Sequence, residues 1–292
     1  MKSSSALRTH SSYRAALAPY SLWSVLFVIV PLVFIAFYAF TDNNFEFTTS
    51  NITRFFTETT VSADRTETRK YVLIFLRSLK LAAISTVVCL LLAYPIAYIM
   101  SRAKPKTQKT MVTLIMIPMW MNFLIRTYAW MTILQNNGIV NNLLTTIGLD
   151  KIEIIGTETA VILGMVYDFF PYMVLPIYSI LAKMDGKLLE AARDLGCSSF
   201  SVLRRVIFPL SMPGVISGIT MVLIPSISTF YISQKLGNGK FFLIGDAIEG
   251  QYVANNLHFA AAIAFILMVI LLVAMALLKY LTARFVYGGD SR

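Results

Sequence analysis

One acidic residue, Asp168 in GMVYDFFPY, interrupts an apolar stretch long enough to cross a membrane. An ionisable group in such a segment must face a cavity or a partner, which makes it a candidate functional group. Together with Tyr172, one helical turn away, it has the chemistry to attract an organic cation by charge and by cation–π contact. We therefore predict a functional role for Asp168 on a path through the membrane. The alternatives are that it stabilises a kink at Pro171 or pairs with Arg126.

A second charged group lies in EAARDLG, residues 190–196. Asp185 is a suitable N-cap, Gly196 occupies the position of a glycine that ends a helix, and small or apolar residues recur at helical spacing between them: Leu188, Ala191, Ala192 and Leu195. The stretch predicts a helix of about ten residues, roughly 15 Å long and too short to span a membrane. Such a helix either inserts into a groove of a cytoplasmic partner or lies in the lipid headgroups, and the residues alone leave both readings open.

Other chemistry finds no support in the sequence. The nearest approach to a phosphate-binding loop, LGNGK at 236–240, lacks the first glycine and the final Ser or Thr that a phosphate cradle needs. Two cysteines and two histidines show no metal-ligand spacing, so we predict no metal site. No Ser/His/Asp group or pair of carboxylates suggests an enzyme, and we predict none.

The elements that must position these residues are membrane helices. Hydrophobic residues make up 57% of the 292 residues and charged residues only 14%, whereas a soluble domain carries about 25% charge. Apolar runs of about 20 residues recur along the chain, as in a multi-span helical protein. The candidate spans are Pro19–Thr41, Val72–Met100, Met111–Leu134, Thr159–Ala182, Pro209–Ile232 and Leu257–Leu281.

Topology follows from the basic residues. Placing the N-terminus inside puts most of the lysines and arginines outside the spans on the cytoplasmic side, as the positive-inside rule requires. The net charge of +10 therefore reflects membrane topology, and we predict no nucleic-acid partner. The predicted organisation is a cytoplasmic tail at 1–18, a first helix and external loop at 19–71, a five-helix core at 72–282 with a cytoplasmic loop at 183–208, and a cytoplasmic tail at 283–292.

Polar residues and prolines inside the spans favour transport without proving it. A patch beside Pro225 either lines a path or holds helices together: Ser226, Ser228, Thr229 and Tyr231. Most spans contain proline, which is tolerated where a cavity or a neighbouring helix satisfies the freed backbone. Proline is also commoner in membrane helices generally.

The charged loop carries a family resemblance. Glu190-Ala191-Ala192, three residues, Gly196, nine residues and then VIFP at 206–209 resembles the EAA loop of ABC importer permeases, whose pattern is EAA, three residues, Gly, nine residues, I-x-L-P. Valine and phenylalanine at 206 and 208 are mild apolar departures. Four further stretches resemble the polyamine permeases of the MetI-like family, namely residues 116–130, 171–196, 208–218 and 239–252.

This resemblance implies an all-α, polytopic membrane protein with about six transmembrane helices and the MetI-like permease fold, in a bacterial cytoplasmic (inner) membrane. The predicted helix becomes the coupling helix that docks into the nucleotide-binding subunit, with Glu190, Ala191, Ala192, Asp194 and Gly196 as coupling residues. The implied partners are a second permease subunit, an ATPase dimer and an extracytoplasmic substrate-binding protein. ATP and magnesium would be bound by the ATPase, and this chain would bind no cofactor.

The expected function is that of a permease subunit in an importer for spermidine and putrescine. The predicted path residues are Asp168, Tyr172, Trp120, Asn122 and Tyr231, of which Trp120 and Asn122 come from the resemblance. One alternative is a permease of the same fold for another organic cation, an amino acid or an oxyanion. An ion-coupled secondary transporter would show inverted repeats and several intramembrane acids, and neither is found in the sequence.

Overall fold

The structure is a computed structural model that describes residues 19–61 and 67–287, with side chains described for 19–60 and 68–280. The tail predicted at 1–18 lies outside the described residues, as do residues 288–292 of the predicted C-terminal tail. Most of the described chain is helical. One short antiparallel hairpin joins strands β1 (Thr59–Val61) and β2 (Glu67–Arg69), with Thr60 opposite Thr68.

The helices are given in chain order. They are α1 (Pro19–Ala39), α2 (Ser50–Thr57), α3 (Lys70–Arg102), α4 (Pro105–Trp120), α5 (Phe123–Leu134), α6 (Ile139–Thr146), α7 (Glu158–Ala182), α8 (Gly186–Asp194), α9 (Ser199–Ser228), α10 (Tyr231–Leu236), α11 (Ile244–Val253) and α12 (Leu257–Tyr287). Single π-helical turns lie within α1 and α9, at Val25–Ile29 and Leu203–Ile207.

Five of these helices are long and apolar enough to cross a membrane: α1, α3, α7, α9 and α12. They correspond to five of the six predicted spans, and the all-α membrane fold is confirmed. Two boundaries differ from the sequence expectation. Helix α9 begins at Ser199 and ends at Ser228, and α12 continues to Tyr287, so that residues 283–287 of the predicted tail are helical.

The predicted span Met111–Leu134 is not one helix. Helix α4 and the stretch Phe123–Thr146, which contains α5 and α6, are apolar, but the chain bends by 92° at the short break between them. Pro118 lies in the last turn of α4, and the Asn122 side chain caps α5 by accepting a hydrogen bond from the Leu124 N–H at 2.8 Å. Local chemistry therefore ends one helix and begins the next, and the predicted span is a bent pair of helices instead of one continuous helix.

Helix α7 is the centre of the bundle. It packs along α3 on one side and α9 on another, and its buried apolar residues include Met165, Met173, Val174 and Ile177. Because polar backbone must be satisfied within each helix in lipid, contact between these helices depends on close side-chain packing.

Two glycines bring α9 against α7. A methyl group built at Gly214 would lie 2.8 Å from the Pro176 carbonyl oxygen, and one at Gly218 would lie 2.7 Å from the Met173 sulfur. Their spacing, small-xxx-small, is one by which membrane helices approach closely. The glycines thus fix the contact between the two helices.

A second apolar cluster lies beside this bundle. It joins α1, α2, α11 and α12 to the first turns of α3, with Phe55, Tyr71, Phe259 and Ile263 among its buried members. Helix α3 is 33 residues long, or about 50 Å, which exceeds the roughly 30 Å of a hydrocarbon core. One end of α3 therefore extends beyond the apolar layer, together with the β-hairpin and α11, which pack against it.

Candidate coupling surface and transport path

The coupling stretch folds into α8 by local hydrogen bonds. The Asp185 carboxylate accepts a hydrogen bond from the Lys187 N–H at 3.0 Å and caps the first turn. At the other end, the Cys197 N–H bonds to the Ala192 carbonyl at 3.1 Å and the Gly196 N–H bonds to the Arg193 carbonyl at 2.8 Å. This is the pattern of a Schellman motif, and Gly196 adopts the left-handed conformation that it requires, with φ +80°.

One face of α8 is packed and the other is free. Leu189 is buried in the main core and Ala192 is half-buried, whereas Leu188 is 51% and Leu195 85% exposed. The exposed face also carries coupling residues predicted from the sequence: Glu190, Ala191, Asp194 and Gly196. The predicted apolar stripe therefore points outward for all its members except Ala192, and it has the composition of a surface that a partner covers.

Helix α9 connects this surface to the far side of the bundle. The Ser198 hydroxyl caps α9 by accepting from the Ser201 N–H at 3.3 Å. Val202 and Ile207 are buried in the same core as Leu189, and Gly214 and Gly218 contact α7 farther along. Packed contacts therefore run without a break from α8 through α9 to α7.

Asp168 lies in the interior of the subunit. Its side chain is 2% exposed, and its Oδ1 lies 3.2 Å from Nη1 of Arg126, whose side chain is 8% exposed. The pair joins α7 to α5 just beyond the 92° bend. This contact is the pairing with Arg126 that the sequence left open, and it places opposite charges side by side in the interior.

The other predicted path residues lie apart from Asp168. Tyr172 is exposed, although it is one turn from the buried acid, and Trp120 at the end of α4 is 75% exposed. Asn122 is exposed and caps α5, while Tyr231 begins α10. The structure does not gather these residues and Asp168 around one cavity.

Tyr231 does belong to an aromatic cluster next to the bend. Its ring lies 6.0 Å from Phe123 and 5.9 Å from Tyr128, centroid to centroid. The Lys235 ammonium lies 5.2 Å from the Tyr128 centroid and 5.6 Å from that of Tyr231. These rings therefore already hold one alkylammonium group, from the protein itself, at cation–π distance.

Helix α11 carries two acids that the sequence analysis did not single out. The buried Asp246 accepts hydrogen bonds through Oδ2 from the Ser233 hydroxyl and the Leu243 N–H, each at 2.7 Å. Burial raises the pKa of its carboxyl from 3.8 to about 6 against these hydrogen bonds, and nearby Glu249 adds to the rise. The sequence contained a local indication of this acidic pair, because Asp246 and Glu249 are three residues apart in an otherwise apolar stretch.

Comparison with known proteins identifies the family. Residues 90–287 match the family described as binding-protein-dependent transport system inner membrane component. The chain belongs to this family. It is 36% identical over 271 residues to the spermidine/putrescine transport system permease protein PotB of Haemophilus influenzae, with 90% of each chain covered. It is also 36% identical over 258 residues to PotB of Escherichia coli, covering 85% of this permease and 90% of that one.

A solved structure shares the fold of the permease. This is a bacterial alginate ABC transporter in complex with an alginate pentasaccharide-bound periplasmic protein. The TM-score is 0.78 at 16% identity, with 98% of this chain and 99% of the other chain covered. At this identity the likeness shows the fold alone, and it confirms the MetI-like permease architecture that the EAA loop predicted.

Proposed function

We propose that this chain is the permease subunit of an ABC importer for the polyamines spermidine and putrescine. It forms half of the translocation path and is coupled to a cytoplasmic ATPase through α8. The observation that carries the substrate class is the 36% identity, over most of both chains, to proteins named as spermidine/putrescine permeases.

The coupling role is supported by the shape of α8. Its capped ends make a rigid short helix, and its free face combines exposed leucines with Glu190 and Asp194. In this role the ATPase binds and hydrolyses ATP with magnesium, and this chain binds no cofactor. Closure of the ATPases moves α8, and the close contact of α9 with α7 carries that motion to the outer side.

The proposed assembly places both termini in the cytoplasm. The loop at 183–208, with α8, then lies on the cytoplasmic side, and α2, α6 and α11 lie outside with the hairpin. The partners are a PotC-like second permease, two PotA-like ATPases, a PotD-like binding protein at the outer face and membrane lipid.

The proposed role of Asp168 follows from its burial and its partner. We assign Asp168 to the ion pair with Arg126, because a carboxylate so placed is already neutralised and shielded from a passing cation.

The test is uptake by the complete transporter, with its ATPase, second permease and binding protein, in proteoliposomes. We expect ATP-dependent uptake of spermidine and putrescine, and none of an amino acid or an oxyanion. ATP-dependent uptake of one of those solutes without polyamine uptake would leave the permease role intact and overturn the substrate. Uptake driven by an ion gradient without ATP would overturn the coupling role.

A further inference from the structure

A cavity of about 570 Å³ lies between α1, α11 and α12, at the end of α9. This volume is within the range of small-molecule sites in proteins, about 300–1,000 Å³. Space for it arises on α12, where the first two turns present alanines to the cavity in place of larger side chains: Ala260, Ala261 and Ala264. The position near α11 places it toward the outer side of the proposed assembly.

One carboxylate lines this cavity, that of Glu249. It is half-buried, and its Oε2 accepts a hydrogen bond from the Gln234 side chain. Among the described residues no lysine, arginine or histidine forms an ion pair with Glu249 or with the neighbouring Asp246. By contrast, Glu58, Glu158 and Asp168 each form an ion pair.

This difference in pairing has an electrostatic consequence. A carboxylate that is partly withdrawn from water loses hydration, and the loss is offset by a cation or by strong hydrogen bonds. Glu249 has a neutral amide and a second acid for neighbours, in a chain whose net charge is +10. Because Asp246 adds negative potential behind it, the cavity favours a positively charged occupant.

The remaining lining suits an alkylammonium ion. Tyr38, Phe230 and Tyr252 present rings to the cavity, and the hydroxyl-bearing Ser228 lies at the C-terminal end of α9. Aromatic faces attract ammonium groups, and the carbonyl end of a helix carries partial negative charge. The close approach of Gly245 to the Ser228 carbonyl holds that helix end against α11.

We propose that this cavity binds an ammonium group of a linear polyamine, with Glu249 as its anionic ligand and the rings of Tyr38 and Tyr252 beside the alkyl chain. The inference rests on the proposed function and deepens it, because it assigns a substrate-binding site to the permease chain itself. The apolar alanine wall accommodates the methylene groups, whereas an anionic solute would be repelled.

The experiment measures equilibrium binding of radiolabelled spermidine to the complete transporter in nanodiscs, without the binding protein and at low ionic strength. Glu249→Gln keeps the shape and the hydrogen bond to Gln234 but removes the charge, and we expect spermidine affinity to fall by about tenfold or more. The matched control is Asp150→Asn, which removes an exposed acid of the external connection after α6 and should leave binding unchanged.

A second pair of variants tests the contribution of the Tyr252 ring. Tyr252→Phe should bind spermidine nearly as well as wild type and Tyr252→Ala about threefold or more weakly, since a cation–π contact at an exposed site contributes about 0.5–1 kcal/mol. Thermal melting and basal ATPase activity verify folding of each variant. Unchanged affinity in Glu249→Gln overturns the site, as does an absence of spermidine binding by a wild-type complex that imports spermidine. A wild-type complex that imports no polyamine refutes instead the proposed substrate.

Discussion

The two ends of the permease present their acids in opposite ways. On α8, Glu190 and Asp194 are exposed on a free face beside Leu188 and Leu195, which no described residue covers. On α11, Asp246 is buried and Glu249 is half-buried at the wall of an open cavity. An exposed face of charged and apolar side chains fits a protein partner, whereas acids that are withdrawn from water and form no ion pair with a described residue fit a small cation. Changes at α8 should therefore affect transport of any substrate, and changes at α11 should affect the substrate cation specifically.

The largest effect is expected at the end of α8. Gly196→Val places a β-branched residue at φ +80°, a conformation that costs such residues about 1–3 kcal/mol, and it disrupts the turn that follows the helix. We expect polyamine uptake and binding-protein-stimulated ATPase activity to be lost while the protein still inserts in the membrane. Uptake and ATPase assays of the purified complex measure this.

Gly186→Val supplies the matched control for that change. Gly186 begins the same helix, has open space around it and lacks a left-handed φ, so valine should be tolerated there. Wild-type ATPase stimulation in Gly196→Val, or equal loss in both variants, would remove the distinction between the helix terminus and the rest of α8.

The next largest effect concerns Asp168, the acid that forms an ion pair with Arg126. Asp168→Leu leaves the Arg126 charge buried without its partner, which should destabilise the permease by about 3–5 kcal/mol. The double variant Arg126→Met/Asp168→Leu removes both charges and should recover most of the thermal stability and the uptake. Recovery of stability without recovery of uptake would return Asp168 to the cation path and would contradict the contrast between this acid and Glu249.

A pH effect is expected at α11. The pKa of Asp246 is about 6 in the folded chain and 3.8 ordinarily. The folded state therefore binds the proton of Asp246 more tightly than the unfolded state does, and this difference adds to the free energy of unfolding. The added stability is complete below pH 4 and is lost as pH rises through 6. The loss is at most ~3 kcal/mol. Melting temperatures of wild type and Asp246→Asn at pH 4.5 and pH 7.5 should show a smaller decline in the variant, and parallel declines would exclude Asp246 as the source.

The smallest effect tests the connection between the two ends. Gly214→Ala brings a methyl group against the Pro176 carbonyl of α7, which cannot move as a flexible side chain would. We expect a destabilisation of about 1–2 kcal/mol from overpacking, with transport reduced more than cation binding. The control is Ser217→Ala at an exposed position of α9. Equal effects of the two variants on the melting temperature would argue against close α7–α9 packing as the connection.

Some of the site is local and could be read from the residues. The N-cap at Asp185 and the glycine that ends α8 depend on hydrogen bonds within a few residues, and the structure has both. The bend at residues 121 and 122 has a local cause as well, in Pro118 and Asn122, but the apolar run through it hid the break. Hydrophobicity identifies a span without specifying that it is straight.

By itself, the sequence determined the membrane class, most of the spans and the short capped helix α8, because apolar length and capping chemistry act over short stretches of chain. Only the tertiary structure decided which acid forms an ion pair with a basic side chain. Arg126 and Asp168 come together because α5 folds back beyond the bend, and Glu249 and Tyr38 line one cavity only because α1 packs against α12 beside α11. Charge pairing depends on distances of a few ångströms between residues far apart in the chain, and no local pattern fixes those distances.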